Sequence, residues 1–133
     1  MADEGQERIA VLVADDDPDI RSLMIQYLSR EPFEVAGSAR DATEAIELAR
    51  ARRPDAALVD VNMPGGGAEA VIDALSTEAP EIAIVILSAL EEDTLVRDLL
   101  RAGAMAYLVK GARREEILET VRRAIEANGR LNT

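Results

Sequence analysis

The stretch VLVADDDPDI (residues 11–20) joins an apolar run to three consecutive aspartates and a proline. Such an unbroken apolar run is typical of a strand that is buried on both faces, as in a parallel sheet. Pro18 suits the first turn of a helix, where its missing N–H is not needed. The stretch therefore predicts a strand, an acidic turn and a helix. Because ionised carboxylates repel one another, the turn must either stay hydrated or bind a cation.

The same alternation of a short apolar run and a helical segment occurs five times along the chain. The predicted strands are residues 8–14, 33–38, 56–60, 82–87 and 105–109. Between them, apolar residues recur at helical spacing, and the first such stripe is Ile20, Leu23, Met24, Tyr27 and Leu28. A (βα)5 order predicts an α/β fold with a five-stranded parallel sheet and helices on both faces.

A single domain accounts for most of the chain. We expect a flexible N-terminal segment over residues 1–7, the folded domain over 8–128, and a tail or the start of a linker over 129–133. Asp41 is a suitable N-cap for the second helix, and Asn128-Gly129 is a typical end for the last. A chain of 133 residues is long enough to bury one ordinary core.

The composition excludes several classes of function. The chain has no cysteine and no histidine, which excludes disulfides, thiolate metal sites, serine–histidine hydrolysis and histidine-based zinc sites. A net charge of −11 argues against direct binding of nucleic acid, which needs a basic surface. No apolar run is long enough to cross a membrane and no secretory signal is present, so we expect a cytoplasmic protein.

Unusual polar residues fall at the ends of four predicted strands. Asp15 and Asp16 follow the first, Asp60 ends the third, Ser88 follows the fourth and Lys110 follows the fifth. Open α/β sheets bind their ligands at the carboxyl ends of their strands, so we expect these side chains to converge. Lys110 is the only lysine among 15 basic residues. Ser88 taken alone would be an ordinary turn or cap residue.

The three aspartates offer hard oxygen ligands for a divalent cation. Mg²⁺ fits best, because it binds one or two carboxylates and keeps water or phosphate oxygens at its other positions. A bound cation would offset the repulsion among the acids and would give a phosphoryl group an electrostatic anchor. The sequence therefore predicts a magnesium site formed by Asp15, Asp16 and Asp60.

Four motifs together resemble the receiver domain of bacterial two-component response regulators. They are VLVADDD, ALVDVNMPGGG, VILSA and AYLVKG, and they occur in the order that the family shows, over about residues 8–128. The resemblance implies the flavodoxin-like receiver fold with a sheet of strand order 2-1-3-4-5. It also implies a regulatory domain that catalyses only its own phosphorylation and dephosphorylation, not an enzyme with an external substrate.

The resemblance implies a role for each site residue. Asp60 would accept a phosphoryl group from a phosphohistidine of a sensor histidine kinase or phosphotransfer protein. Asp16, Asp60 and the backbone carbonyl of Asn62 would ligate Mg²⁺, with Asp15 acting mainly through water. Lys110 would pair with the phosphoryl oxygens.

The resemblance also implies a switch. Ser88 would hydrogen-bond to the transferred group, and Tyr107 would change position as Ser88 moves inward. This would alter the face formed by the fourth helix, the fifth strand and the fifth helix. An output domain or an effector protein would bind that face, which could also form a homodimer after phosphorylation.

Three features depart from the family pattern. Gly111 follows Lys110 where the family commonly has proline, Ser88 stands where threonine is common, and three glycines at 65–67 are expected to loosen the loop after Asp60. Two alternatives remain open. A pseudo-receiver would dock without being phosphorylated. A Mg²⁺-dependent phosphatase with an aspartate nucleophile would need a second acid at the place of Asn62, together with a cap domain.

Overall fold

The computed structural model describes residues 8–89 and 94–129. The elements are β1 (Ile9–Ala14), α1 (Pro18–Tyr27), β2 (Phe33–Ala39), α2 (Ala42–Arg52), β3 (Ala56–Asp60), α3 (Gly67–Glu78), β4 (Ala83–Ser88), α4 (Thr94–Ala102), β5 (Ala106–Val109) and α5 (Arg114–Ala127). All neighbouring strands are parallel, in the order β2-β1-β3-β4-β5. The predicted fold and strand order are confirmed. Of the predicted terminal segments 1–7 and 129–133, residues 1–7 and 130–133 lie outside the described residues.

Two apolar layers cover the sheet, one on each face. Alternate strand residues point to opposite faces, so that Leu12 packs with α2, α3 and α4 while Val11 and Val13 pack with α1 and α5. β3 and β4 are buried along their whole length, which is why their sequences are apolar without alternation. Within the described residues, no helix is both long and apolar enough to span a bilayer.

Three helix ends are capped, two of them at Asp41 and Asn128 as the sequence predicts. The Asp17 carboxylate caps α1 by accepting from the Asp19 N–H at 2.9 Å, and Pro18 is the first residue of the helix. The Asp41 carboxylate caps α2 by accepting from the Glu44 N–H at 2.8 Å. Asn128 is the C-cap of α5. These caps fix where each helix leaves the sheet.

The apolar stripe predicted for α1 is wider than the face that α1 buries. Met24 and Leu28 are almost fully buried, but Leu23 is 37% exposed. Leu23 belongs to the predicted stripe but lies outside the buried core. A helix that packs on a sheet from one side buries a narrow strip, and a residue at the border of the apolar stripe stays in contact with water.

The edge strand β2 contains an irregularity that an arginine stabilises. The pairing with β1 moves from Val11–Val35 to Leu12–Gly37, which leaves Ala36 as an extra residue. The guanidinium of Arg52 donates to the backbone carbonyl of Ala36. A bulge leaves such a group without its ladder partner, and the arginine replaces that partner.

Candidate phosphoacceptor site

Two buried carboxylates and one ammonium meet at the carboxyl end of the sheet. Asp15 follows β1 and is fully buried, and Asp60 is the last residue of the neighbouring strand β3 and is 3% exposed. The Lys110 Nζ reaches both from the end of β5, at 3.2 Å from Asp15 Oδ2 and 3.1 Å from Asp60 Oδ1. Carboxylate oxygens of Asp15, Asp16 and Asp60 all lie within 4.8 Å of one another.

Each buried carboxylate has one oxygen that is hydrogen-bonded and one that is not. The Asp15 Oδ1 accepts from the Asp17 N–H at 2.9 Å, and the Asp60 Oδ1 accepts from the Asn62 N–H at 3.2 Å. Both Oδ2 atoms are buried without a hydrogen bond. The Lys110 ammonium is close to Asp15 Oδ2 but is not aligned for a hydrogen bond, so we regard that contact as an ion pair.

Buried carboxylate oxygens that accept no hydrogen bond are costly, so two of them at one place favour a cation beside them. Two such oxygens beside the exposed carboxylate of Asp16 form an all-oxygen donor set. Magnesium binds such ligands and keeps several of its waters, which the open side at Asp16 can accommodate. The acidic cluster therefore fits a Mg²⁺ ion.

Burial and charge act in opposite directions on the site groups. Burial raises the pKa of Asp60 to about 6; the charge of Asp15 adds to this rise, while the hydrogen bonds from Lys110 and the Asn62 N–H oppose it. For Lys110, burial lowers the pKa, but the hydrogen bond to Asp60 and the charges of Asp60 and Asp15 raise it above its ordinary value. The lysine is therefore a cation at neutral pH, and Asp60 releases its proton at a higher pH than an ordinary aspartate.

A cleft of about 510 Å³ opens beside the acids, between the loop that follows β3 and helix α4. Polar groups of Asp16, Asn62 and Glu69 line it together with the apolar side chains of Leu95 and Leu99. Asp16 and Asn62 are both exposed. The cluster is therefore buried on the side of the sheet and accessible from the side of this loop.

The glycine-rich loop after β3 is shaped by close contacts. Gly65, Gly66 and Gly67 all have positive φ, of 89°, 108° and 62°. A Cβ on Gly67 would lie 2.1 Å from the Val61 carbonyl oxygen. The loop is also tied to α2, because the Pro64 carbonyl accepts from the Ala42 N–H at 2.9 Å. The three glycines, predicted to loosen this loop, instead allow it to pack against β3 and α2.

Ser88 and Tyr107 lie where the sequence predicts, with one small difference. Ser88 is the last residue of β4 and does not follow it, because it still pairs with Val109. It is 6% exposed and comes one residue after the partner of Asp60 in the neighbouring strand. Tyr107 is half-buried in β5 and packs against the α2–α3–α4 side of the sheet. The switching roles of Ser88 and Tyr107 stay predictions.

Gly111 uses a conformation that proline cannot adopt. Its φ is +96°, whereas a proline ring holds φ near −65°. Within the described residues the only cis peptide bond is Glu31–Pro32, so the Lys110–Gly111 bond is trans. The Lys110 N–H donates to the Ser88 carbonyl at 2.8 Å, which extends the β4–β5 ladder to the lysine. The loop that follows Lys110 therefore uses a trans peptide bond and a glycine with positive φ.

One residue of the site escaped the sequence analysis. Nothing in the sequence pattern assigns Arg21, which lies in α1, to the acidic cluster. Its Nη1 in fact donates to the backbone carbonyl of Asp15 at 2.8 Å. The available signal was its place on α1, one turn beyond the acidic stretch, where a long side chain can reach back to the strand end.

Known proteins with this sequence pattern are response regulators. The family model of the response regulator receiver domain matches residues 11–122. Response regulator GacA of Pseudomonas aeruginosa is 39% identical over 116 residues, which cover 86% of this chain and 54% of GacA. Probable transcriptional regulatory protein NarL of Mycobacterium tuberculosis is 36% identical over 123 residues, covering 91% of this chain and 56% of NarL. The chain spans about half the length of these curated relatives.

Solved structures agree with the sequence matches. The signal receiver domain of the putative response regulator NarL from Mycobacterium tuberculosis superposes with a TM-score of 0.81 at 35% identity, covering 90% of this chain and 98% of that one. The response regulator domain of Thermotoga maritima CheB gives a TM-score of 0.82 at 28% identity, with coverage of 90% and 98%.

Proposed function

This chain belongs to the response regulator receiver domains, and on that premise we propose that Asp60 accepts a phosphoryl group from a phosphohistidine of a sensor histidine kinase or phosphotransfer protein. The observation that carries the proposal is the state of Asp60 itself. It is a buried carboxylate with one unpaired oxygen, it contacts Lys110, and two further carboxylates lie beside it.

The oxygen donors of the site support an assignment of direct and water-mediated ligands of Mg²⁺. Asp16 and Asp60 would hold the ion directly, together with the backbone carbonyl of Asn62, and Asp15 would act mainly through water. When bound, Mg²⁺ offsets the charge of the carboxylates and of the phosphoryl oxygens. Asp15 keeps the Asp17 N–H as a hydrogen-bond donor, so the acidic loop stays in place.

The transfer itself is a substitution at phosphorus. An oxygen of Asp60 forms a bond to phosphorus as the bond from phosphorus to the histidine nitrogen breaks, and the electron pair of that bond returns to the imidazole ring. The product is an acyl phosphate on Asp60. Lys110 holds a fixed positive charge beside the attacking carboxylate, which stabilises the negative charge on the transferred oxygens.

Signal output would pass through the end of β4 and through β5. Ser88 is buried beside Asp60, so its hydroxyl would reach the new phosphoryl oxygens after a short inward movement of its loop. Tyr107 would follow this movement in β5. The face of α4, β5 and α5 would then bind an output domain or an effector protein, and it could also form a homodimer after phosphorylation.

The domain would act as a regulator and not as an enzyme with an external substrate. We propose that it works in the cytoplasm, where sensor kinases present their phosphohistidines, and that it makes no contact with nucleic acid or membrane itself. The net charge of −11 supports the first of these exclusions.

The test is the intact mass of the protein after incubation with acetyl phosphate or phosphoramidate, with and without Mg²⁺. Wild type should gain one phosphoryl group only with Mg²⁺, and Asp60→Asn should gain none. Asp55→Asn is the matched control: Asp55 immediately precedes β3, whereas Asp60 ends that strand, and Asp55→Asn should be phosphorylated like wild type.

Three other outcomes would overturn the proposal. Phosphorylation that persists in Asp60→Asn would mean that another residue is the acceptor. A folded wild type that gains no phosphate would be a pseudo-receiver. Continuous hydrolysis of an added phosphoester would identify a phosphatase.

A further inference from the structure

The loop between β1 and α1 is held by an arginine that the proposed phosphotransfer does not use. Arg21 is half-buried on α1, and its Nη1 donates to the backbone carbonyl of Asp15 at 2.8 Å. That carbonyl belongs to the peptide unit that joins Asp15 to Asp16. The guanidinium therefore fixes the backbone at the point from which both carboxylates project.

Asp15 and Asp16 differ in how they are restrained. Asp15 is held through its backbone N–H, which donates to the Ala39 carbonyl at 3.1 Å, and through its Oδ1, which accepts from the Asp17 N–H. The Asp16 side chain is exposed and makes no hydrogen bond or ion pair within the described residues. The direction of the Asp16 carboxylate thus depends on the peptide that Arg21 holds.

We propose that Arg21 is a positioning residue for the cation site: by holding the Asp15–Asp16 peptide, it presents the Asp16 carboxylate in the orientation that Mg²⁺ needs. The inference rests on the proposed function, in which these acids bind Mg²⁺. Arginine suits this role because its rigid, always protonated guanidinium loses little freedom for each hydrogen bond that it forms. Residues that orient metal ligands in this way commonly affect metal affinity strongly.

Because Arg21 is positively charged, the direction in which its removal changes Mg²⁺ affinity can test the inference. A positive charge near a divalent cation repels it, so if Arg21 acted only through its charge, its removal would strengthen Mg²⁺ binding. If Arg21 acts by holding the peptide, its removal would weaken binding in spite of the lost repulsion. The two effects therefore predict opposite changes in the dissociation constant.

The experiment is a Mg²⁺ titration followed by the backbone amide NMR shifts of the acidic loop and of Asn62. Arg21→Ala should raise the dissociation constant about tenfold. Arg21→Lys keeps the charge and should raise it less. Arg52→Ala is the matched control, because Arg52 also donates to a backbone carbonyl, but in the edge strand; its dissociation constant should equal that of wild type.

A second measurement needs no metal. Amide hydrogen exchange at Asp17, whose N–H is bound by Asp15 Oδ1, should be several-fold faster in Arg21→Ala than in wild type, and unchanged in Arg52→Ala. Equal or tighter Mg²⁺ binding by Arg21→Ala, with wild type binding normally, would overturn the inference and leave the proposed function intact. A folded wild type that does not bind Mg²⁺ would instead remove the proposed function, and this inference with it.

Discussion

In β3, the buried apolar interior of the sheet and the candidate site are adjacent residues. The two regions differ in whether their buried groups stabilise the fold. Ala56 to Val59 are fully buried and apolar, with their backbone paired on both sides. Asp60 is the next residue, and it is a buried carboxylate with an unpaired oxygen. The interior stabilises the fold, whereas the end of the sheet holds a charge that the fold alone does not satisfy. Shortening an apolar side chain in the interior should therefore lower the free energy of unfolding. Removing the charge of the carboxylate at the end of the strand should raise it.

The largest effect should come from the interior. Leu58→Ala removes a fully buried side chain from the layer between the sheet and the α1–α5 face, and should lower the free energy of unfolding by about 4 kcal/mol. Urea denaturation followed by circular dichroism measures this change. Leu95→Ala is the control, because Leu95 is 42% exposed, and it should change stability little. Equal losses in the two variants would contradict the comparison.

The next effect should come from the loop that joins the two regions to α3. Gly67→Ala places a Cβ against the Val61 carbonyl at a left-handed backbone position, and should lower the free energy of unfolding by about 2 to 3 kcal/mol. Gly111→Ala separates the cost of the left-handed backbone from the cost of the close contact. Its φ is also positive, but nothing lies within 4 Å of the added Cβ, so it should lose only about 1 kcal/mol. Similar losses would mean that the contact with Val61 is relieved at no cost.

At the end of the sheet, a substitution should raise the stability of the protein and not lower it. Asp60→Asn removes a buried charge that Lys110 only partly offsets, and should raise the stability of the metal-free protein at pH 8 by about 1 kcal/mol. Asp55→Asn gives the contrast, because the Asp55 carboxylate accepts a hydrogen bond from the Ala10 N–H at 2.9 Å; this variant should be less stable than wild type. Destabilisation by Asp60→Asn would show that the Lys110 pair outweighs burial.

The pH dependence sharpens the same prediction. The pKa of Asp60 is about 6 in the folded protein, above its ordinary value of 3.8, so the folded state binds a proton between these two values that the unfolded state has already released. The contribution of Asp60 to the stability of the metal-free protein should therefore fall as the pH rises from about 4 to about 6. The difference between wild type and Asp60→Asn isolates this contribution in urea titrations at several pH values. A difference that does not change over this range would contradict the raised pKa.

The smallest effect should come from the surface, away from both regions. Arg50 on α2 donates two hydrogen bonds to Glu78 on α3, at 2.7 and 3.0 Å, and this pairing lowers the pKa of the Glu78 carboxyl. Both side chains are exposed, so Glu78→Gln should change the unfolding midpoint only slightly. Any loss should disappear in high salt and below the pKa of Glu78 in the folded protein. A loss that survives high salt would show that the pair is packed and not merely charged.

The architecture could be predicted from the sequence because local patterns determine it. Each strand of the (βα)5 order is a short apolar run, and its predicted limits differ from the observed ones by no more than one residue. Asp17 and Asp41 cap their helices because capping depends on neighbouring residues only. The convergence of Asp15, Asp60 and Lys110 followed from the rule that strand ends in a parallel sheet share one edge.

What the sequence could not provide depends on contacts between distant segments. The exposure of Leu23 depends on how much of α1 the sheet covers. The tight packing of Gly67 depends on the position of the Val61 carbonyl, and the contact of Arg21 with Asp15 depends on the direction in which a long side chain turns back. None of these has a periodicity or a spacing that marks it in the chain.

The contact of Lys110 with acids of two distant strands has a consequence for folding. Its ammonium comes from the residue after β5 and contacts two acids that precede it by 95 and 50 residues in the chain. The neighbouring strands β1 and β3 bring Asp15 and Asp60 together, but the ammonium that contacts both acids comes from the segment after β5. The arrangement of two acids and one ammonium is therefore complete only when the fifth strand has joined the sheet.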